Sequence, residues 1–370
     1  MLLPYPPGVK EAAMNLPAGV TSHTAQTNRL RTRYIESGPA DGVPVVMIHG
    51  NLSTGRFFEH LMPGAPESFR IIAPDMRGFG EAEQVPIDAT RGLRDWADDT
   101  FSLVEKLGIK RPVHLVGWST GGAAIANYAV DRPVASLTFI DPVSPYGFGG
   151  VRLDGTPCFP DYAGSGGATG NPEFMKRIAG HDTSDESPIS PRNVMNSSYW
   201  ATSHREPKER EDMLLEEVLK SVIGDDGNPG DSTPSENWPG MAPGTRGVLN
   251  ALSPKYCHWA DIVDLQPKPP ILWTHGTADI VVADGSAWEM GTLGKMGYVP
   301  DWPGEDVFPP QPMVTQIRNV LERYRATGGQ VQMEMFEGSG HGPLFDAAER
   351  WSKLFFELVV SVEASMPARR

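Results

Sequence analysis

The chain has 370 residues and a formal net charge of −14, from 32 Lys and Arg residues and 46 Asp and Glu residues. This acidic balance argues against a nucleic-acid partner, because phosphate contacts need clustered Lys and Arg and no basic run is longer than two residues. Hydrophobic residues make up 39% of the chain and charged residues 21%, which permits a sizeable core and argues against general disorder.

The sequence also lacks the usual signs of a membrane or secreted protein. No run of 18 apolar residues is present, and the N-terminal segment MLLPYPPGVK has no apolar core long enough for a signal peptide. Cys158 and Cys257 are the two cysteines, too few for a disulfide framework. We therefore expect a cytoplasmic protein that does not bind a membrane.

The first half of the chain alternates between predicted strands and helices. Residues 1–28 have weak periodicity, and an alternating polar and apolar pattern then predicts an antiparallel strand. Continuous β-branched runs further on predict strands that are buried on both faces. The predicted strands are 29–38, 43–50, 69–75, 112–117 and 135–142, and the predicted helices are 94–107 and 121–130. Such an alternation indicates a parallel α/β sheet.

The alternation stops after the fourth buried strand. Residues 143–267 are rich in Gly, Pro, Ser and Asn, with one amphipathic helix predicted at 209–222. Strands are predicted again at 269–276 and 330–338, followed by a closing helix at 347–362. We interpret residues 1–142 and 268–370 as one α/β core and residues 143–267 as a cap domain inserted into it.

The segment 117–121, Gly-Trp-Ser-Thr-Gly, fits the pattern G-x-S-x-G between a buried strand and a helix of small residues. A sharp strand-to-helix turn at this place exposes the hydroxyl of Ser119 at the edge of the sheet. Glycines on both sides let the strand and the helix approach without a clash of Cβ atoms. Ser119 is therefore the candidate nucleophile.

Four further motifs stand in order at the predicted strand ends. They are His-Gly-Asn at 49–51, Asp-Met-Arg-Gly-Phe-Gly at 75–80, His-Gly-Thr-Ala-Asp at 275–279 and Gly-His-Gly at 340–342. With the Ser119 motif they resemble the α/β-hydrolase superfamily, in its cap-bearing branch with epoxide hydrolases, haloalkane dehalogenases and small esterases. The resemblance covers roughly residues 30–142 and 268–362, and it implies an α/β-hydrolase fold with a mostly parallel sheet flanked by helices and a cap after the sixth strand of the family.

The resemblance also implies a catalytic set. His341 lies in a glycine-rich loop that can bring its imidazole over Ser119, and the family order of Ser, acid and His makes Asp279 the expected acid. Asp141 is the alternative acid, since some family members place it there. The backbone amides of Thr120 and Asn51 are the expected oxyanion donors.

Differences between this sequence and the family's motifs argue against some of the family's activities. Dehalogenases and epoxide hydrolases of this branch use an aspartate nucleophile where this chain has Ser119, which argues against both activities. The interval between Asp279 and His341 is also long, at 62 residues, and the segment 291–312 within it is a candidate second lid loop. Neither a metal-ligand spacing nor a dinucleotide motif is present, so we expect no metal and no cofactor.

Substrate recognition is expected to come from aromatic side chains near the nucleophile and in the cap. The candidates are Trp118, Trp200 and Trp238, and the alternative for the two cap tryptophans is that they pack the cap's own small core. The sequence predicts a serine hydrolase that cleaves a carboxylic ester or lactone of a mainly apolar small molecule through an acyl-enzyme. A C–C or amide bond hydrolase with the same triad and a catalytically silent ligand-binding protein stay open, as does the oligomeric state.

Overall fold

The structure is a computed structural model that describes residues 16–366. The N-terminal segment considered for a signal peptide lies outside these residues. Eight strands form one sheet, and they are β1 (Val20–Gln26), β2 (Arg31–Ser37), β3 (Val43–Ile48), β4 (Phe69–Pro74), β5 (Val113–Trp118), β6 (Val134–Ile140), β11 (Ile271–Gly276) and β12 (Val331–Phe336). Their order across the sheet is β1-β2-β4-β3-β5-β6-β11-β12.

The sheet is mostly parallel. β1, β2 and β4 pair antiparallel, whereas every pairing from β4 through β3, β5, β6 and β11 to β12 is parallel. The central strands β5 and β11 are buried at every residue, as expected of strands covered by helices on both faces. Because parallel strands end at the same edge, the loops that follow β3, β5, β6, β11 and β12 come together there. The predicted α/β-hydrolase sheet is confirmed.

Helices flank the sheet and also occupy the segment between β6 and β11. The helices are α1 (Arg94–Lys106), α2 (Thr120–Asp131), α3 (Pro172–Ala179), α4 (Pro191–Ser198), α5 (Lys208–Leu219), α6 (Val248–Ala251), α7 (Met290–Lys295), α8 (Met313–Ala326), α9 (Pro343–Asp346) and α10 (Ala348–Ser365). No helix within residues 16–366 is long and apolar enough to cross a membrane.

The segment between β6 and β11 contains α3 to α6 and four short strands. These strands are β7 (Ile223–Gly224), β8 (Asn228–Pro229), β9 (Ser232–Pro234) and β10 (Met241–Pro243). Helices α3, α4 and α5 contact one another, and the segment is hydrogen-bonded to the loop after β4 through Val222 N–H to Gly78 O and Ile87 N–H to Asp226 O. Its role as a cap over the site stays a prediction.

A buried ionic cluster joins α5 to the core. Arg33 donates to Asp75 Oδ2 at 2.7 Å and to the carboxylate of Glu217 on α5, and Thr54 Oγ1 donates to Glu217 Oε2 at 2.7 Å. Lys220 Nζ donates to Glu217 Oε1 at 2.7 Å. Glu217 is 1% exposed, so its charge depends on these partners in place of water. Asp75, the first residue of the 75–80 motif, is thus part of this buried cluster.

Removal of the Glu217 carboxylate should therefore destabilise the protein. We expect Glu217→Ala to lower the free energy of unfolding by about 3–5 kcal/mol, because buried Arg33 would lose one of its carboxylate partners and Thr54 would lose its acceptor. Chemical denaturation measures this loss. Glu216→Ala, an exposed neighbour on the same helix, is the matched control and should have little effect. An equal loss in both variants would contradict the role of the cluster.

The same cluster gives this stability a pH dependence. Burial alone would raise the pKa of Glu217, but the nearby charges of Arg33 and Lys220 lower it to about 2. The ionised Glu217 carboxylate then stabilises the folded protein fully above the unfolded-state pKa of about 4.3, and this stabilisation is lost as the pH falls towards 2. The difference in stability between wild type and Glu217→Ala should shrink across that range.

Candidate active site

Ser119 occupies the sharp turn between β5 and α2. Its backbone has φ 55° and ψ −116°, a conformation that non-glycine residues rarely adopt. The Ser119 carbonyl accepts hydrogen bonds from the amides of Gly122 at 3.0 Å and Val143 at 3.1 Å, and its own amide donates to Ile140 O at 2.9 Å. These three bonds hold the strained turn in place and leave the side chain partly exposed.

The flanking glycines are required by close packing, as the sequence predicts. A Cβ atom at Gly117 would lie 2.3 Å from Gly121 O, and one at Gly121 would lie 2.2 Å from Ile48 O. Both distances are well inside van der Waals contact with backbone atoms. Any side chain at either position would push α2 away from the strands and displace Ser119.

His341 and Asp279 meet at the same edge of the sheet. His341 Nδ1 lies 2.7 Å from Asp279 Oδ2, while Asp279 Oδ1 accepts hydrogen bonds from the amides of Val281 at 2.7 Å and Val282 at 3.1 Å. An ionised Asp279 accepts the proton of His341 Nδ1, which leaves Nε2 free to accept a proton from another group. This pairing favours Asp279 over Asp141 as the acid.

The His341 loop is tied to the serine turn. Trp118 Nε1 donates to His341 O at 2.6 Å, so the residue before Ser119 fixes the backbone of His341. Within residues 16–366, no hydrogen bond joins Ser119 Oγ to His341 Nε2. Such contacts are often long in an enzyme without its substrate and shorten when the substrate binds.

The loop after β3 lies against Ser119. A Cβ atom at Gly50 would be 3.0 Å from Ser119 Cβ, and within the described chain neither the amide of Asn51 nor that of Thr120 donates a hydrogen bond to a protein acceptor. Two unused backbone N–H groups near the nucleophile are what an oxyanion requires. The role of these two amides as the oxyanion donors stays a prediction.

His49 braces this loop from inside. Its Nε2 accepts a hydrogen bond from the amide of Met76 at 3.0 Å, so in the neutral ring Nδ1 carries the proton and donates to Gly50 O at 2.7 Å. Complete burial lowers the pKa of His49 to about 4, which keeps the ring neutral. His49 therefore connects the loop after β3 to the loop after β4.

Two residues of the segment between β6 and β11 also contact the loop after β3. Asn228 Nδ2 donates to Asn51 Oδ1 at 2.7 Å, and the hydroxyl of Tyr199 donates to Leu52 O at 2.8 Å. Sequence reasoning did not identify Asn228, because a lone Asn in a loop-rich segment carries no motif. Its contact places the segment directly beside the candidate oxyanion donors.

The three predicted substrate-binding tryptophans lie in different surroundings. Trp118 and Trp200 are each 1% exposed, and both rings pack against Phe345. Trp238 is half-buried, stacks edge-on to Phe308 and donates through Nε1 to Pro300 O at 2.8 Å. Trp200 therefore packs against α9 as well as within the segment 143–267, whereas Trp238 contacts the segment between β11 and β12.

Known proteins are similar to this chain in sequence and in fold. The model of the alpha/beta hydrolase family matches residues 45–354. The magnesium-chelatase 30 kDa subunit of Rhodobacter capsulatus is 33% identical over 107 residues, which are 29% of this chain and 37% of that protein. A bifunctional esterase/perhydrolase of Acinetobacter calcoaceticus is 37% identical over 117 residues, which are 30% of this chain and 41% of that protein.

Both matches thus span well under half of the relatives' length. Among solved structures, an esterase from Rhodococcus sp. ECU1013 superposes with a TM-score of 0.56 at 16% identity, and the superposition covers 93% of this chain and 99% of that one. This likeness concerns the fold. The family model matches most of the sequence, which shows that the chain belongs to the alpha/beta hydrolase family.

Proposed function

We propose that this protein is a serine hydrolase that cleaves a carboxylic ester or lactone of a mainly apolar small molecule. The observation that carries the proposal is the 2.7 Å contact between His341 and Asp279 on loops that meet the strained Ser119 turn. A serine hydroxyl is a weak nucleophile unless a base takes its proton, and an oriented His–Asp pair provides that base.

In the proposed mechanism, Ser119 Oγ attacks the ester carbonyl carbon while His341 Nε2 takes the hydroxyl proton. The amides of Thr120 and Asn51 stabilise the negative oxygen that forms. The proton then passes from His341 to the leaving alcohol oxygen, and the acyl-enzyme remains on Ser119. Water, activated by His341, attacks the acyl-enzyme and releases the acid.

Among relatives, the esterase/perhydrolase of Acinetobacter calcoaceticus supports ester chemistry, although it matches only part of this chain. The segment 143–267 is proposed as the cap because Asn228 and Tyr199 contact the loop beside Ser119. That the protein works in the cytoplasm with no cofactor, metal, membrane or nucleic-acid partner stays a prediction.

The proposal is tested with purified protein and a panel of chromogenic carboxylic esters, lactones and anilides, each with acyl chains of increasing length. We expect turnover of esters or lactones that increases with apolar character, and none by Ser119→Ala. Turnover restricted to anilides, or to a substrate with a cleavable C–C bond, would replace the ester proposal while keeping the triad. No turnover and no labelling by a fluorophosphonate would indicate a silent ligand-binding protein.

The two cap tryptophans should give different results. Trp200→Ala should lower the thermal midpoint and affect all substrates alike, since a fully buried Trp contributes about 3–5 kcal/mol to stability. If Trp238 takes part in recognition, Trp238→Ala should change the ranking of substrates by about 10–200-fold in kcat/KM, the usual range for an apolar pocket contact. The measurements are thermal midpoints and the substrate panel for both variants, and a uniform loss in Trp238→Ala would reject its recognition role.

A further inference from the structure

A second buried carboxyl group lies beside the Asp279–His341 pair. Asp141 follows the last residue of β6, has 0% exposure and adopts a φ of 40°. One side-chain nitrogen or oxygen atom from each of Asp141, Asp279 and His341 lies within 4.8 Å of the other two, so the two aspartate carboxyl groups are close neighbours. Two carboxyl groups can form a hydrogen bond only when one of them carries a proton.

The neighbours of Asp141 offer it few donors. Oδ1 accepts the amide of Gly276 at 2.8 Å, but Oδ2 accepts no hydrogen bond from the described residues. His275 approaches Oδ1 with Nδ1 at 3.5 Å. His275 Nε2 lies 3.0 Å from Val282 O, which can only accept, so Nε2 carries the ring proton and donates it. In the neutral ring Nδ1 then has a lone pair, and none of the described residues donates a hydrogen bond to it.

Asp279 has the opposite environment. It receives donors from the amides of Val281 and Val282 and from His341 Nδ1. Donors to a carboxylate stabilise its ionised form, so the shared proton belongs on Asp141 and the negative charge on Asp279. Burial and the charge of Asp279 raise the pKa of Asp141 well above its ordinary value, and the carboxyl of Asp346 adds a smaller effect in the same direction.

His275, which lies beside both aspartates, has a neutral ring in this arrangement. Burial lowers the pKa of His275, although the charge of Asp279 opposes the effect. A neutral His275 cannot donate from both ring nitrogens, and Val282 O takes the one proton that it has. The groups that face Asp141 are therefore the carboxylates of Asp279 and Asp346, the neutral ring of His275 and the ring of His341.

We propose that Asp141 is a neutral carboxylic acid that donates its proton to Asp279 and so holds the Asp279 carboxylate against His341. Asp141 is then a positioning residue, since it acts on the reaction through Asp279. The effect of Asp141 on the reaction rests on the proposed hydrolase function, whereas the protonation of Asp141 does not. The arrangement also explains how two buried acids at neighbouring strand ends coexist without repelling each other.

Two variants separate this role from the alternatives. Asp141→Asn keeps a neutral group of the same shape whose N–H can donate to Asp279, and kcat should stay within about tenfold of wild type. Asp141→Ala removes the donor, and kcat should fall by about 10²-fold at unchanged KM, because Asp279 and His341 lose their alignment. A fall of about 10⁴-fold in Asp141→Asn would make Asp141 the ionised acid and overturn the proposal. Equal kcat in wild type and a folded Asp141→Ala would overturn it as well.

Infrared spectroscopy tests the protonation without any substrate, and it applies even if Asp141→Ala does not fold. The difference spectrum between wild type and Asp141→Asn at neutral pH should contain the C=O stretch of a protonated carboxyl group. A carboxylate signal in its place would overturn the proposal. If the substrate panel shows no turnover while the protonated band is present, the proposed function fails and the assignment of Asp141 stands.

Discussion

Replacement of Ser119 by Ala should lower kcat by about 10⁶-fold, since the members of a triad act as a unit and the remaining His–Asp pair has no nucleophile to activate. The fold should be retained. The Ser119 turn is held by backbone hydrogen bonds to Gly122, Val143 and Ile140, none of which uses the hydroxyl. Steady-state kinetics on the best ester of the panel measure the loss, and circular dichroism with a thermal midpoint verifies folding.

The matched control for this variant is Ser197→Ala, an exposed serine on α4. It should leave both kcat and the thermal midpoint close to wild type. Substantial residual turnover in a folded Ser119→Ala protein would reject Ser119 as the nucleophile. Equal losses in both serine variants would show that the assay reports something other than the proposed chemistry.

Replacement of Asp279 by Asn should lower kcat by about 10⁴-fold. Val281 and Val282 amides would still donate to the Asn side-chain oxygen, so the loop should keep its shape. The Asn amide would then point its N–H groups at His341 Nδ1. That favours the tautomer with the proton on Nε2, which cannot accept the proton of Ser119.

Steady-state kinetics of Asp279→Asn and Asp141→Asn side by side measure this difference. Asp284→Asn is the control, because Asp284 is an exposed carboxylate in the same loop whose partner is Thr315. It should lose little activity. If Asp141→Asn loses far more activity than Asp279→Asn, the acid moves to the end of β6, while Ser119 and His341 keep their roles.

Much of the core and the site follows from local sequence patterns. The buried strands are visible as β-branched runs, and β3, β4, β5 and β6 begin and end within two residues of their predicted limits. The contact between Asp279 and His341 agrees with what the resemblance to the α/β-hydrolase superfamily implies, since the family order of Ser, acid and His makes Asp279 the expected acid. Local pattern and tertiary structure agree wherever a strand is buried on both faces.

Other features depend on contacts that no local pattern records. The edge strand β1 lies in a region with weak periodicity, and it forms through pairing with β2. Helix α8 has no counterpart among the predicted elements, and its residues Ile317, Val320 and Leu321 are completely buried against the core. The Arg33–Glu217 pair joins residues 184 positions apart, and each residue alone resembles an ordinary surface charge. Such partners are found only once the chain is folded.

The most direct test of the central claim is to identify the atom that a small fluorophosphonate modifies. The purified protein is treated with the probe at neutral pH, digested, and analysed by mass spectrometry beside Ser119→Ala and Ser197→Ala. We expect a single adduct on the peptide that contains Ser119, present in wild type and Ser197→Ala and absent from Ser119→Ala. Labelling of another residue, or equal labelling of Ser119→Ala, would contradict the assignment of Ser119 as the activated nucleophile.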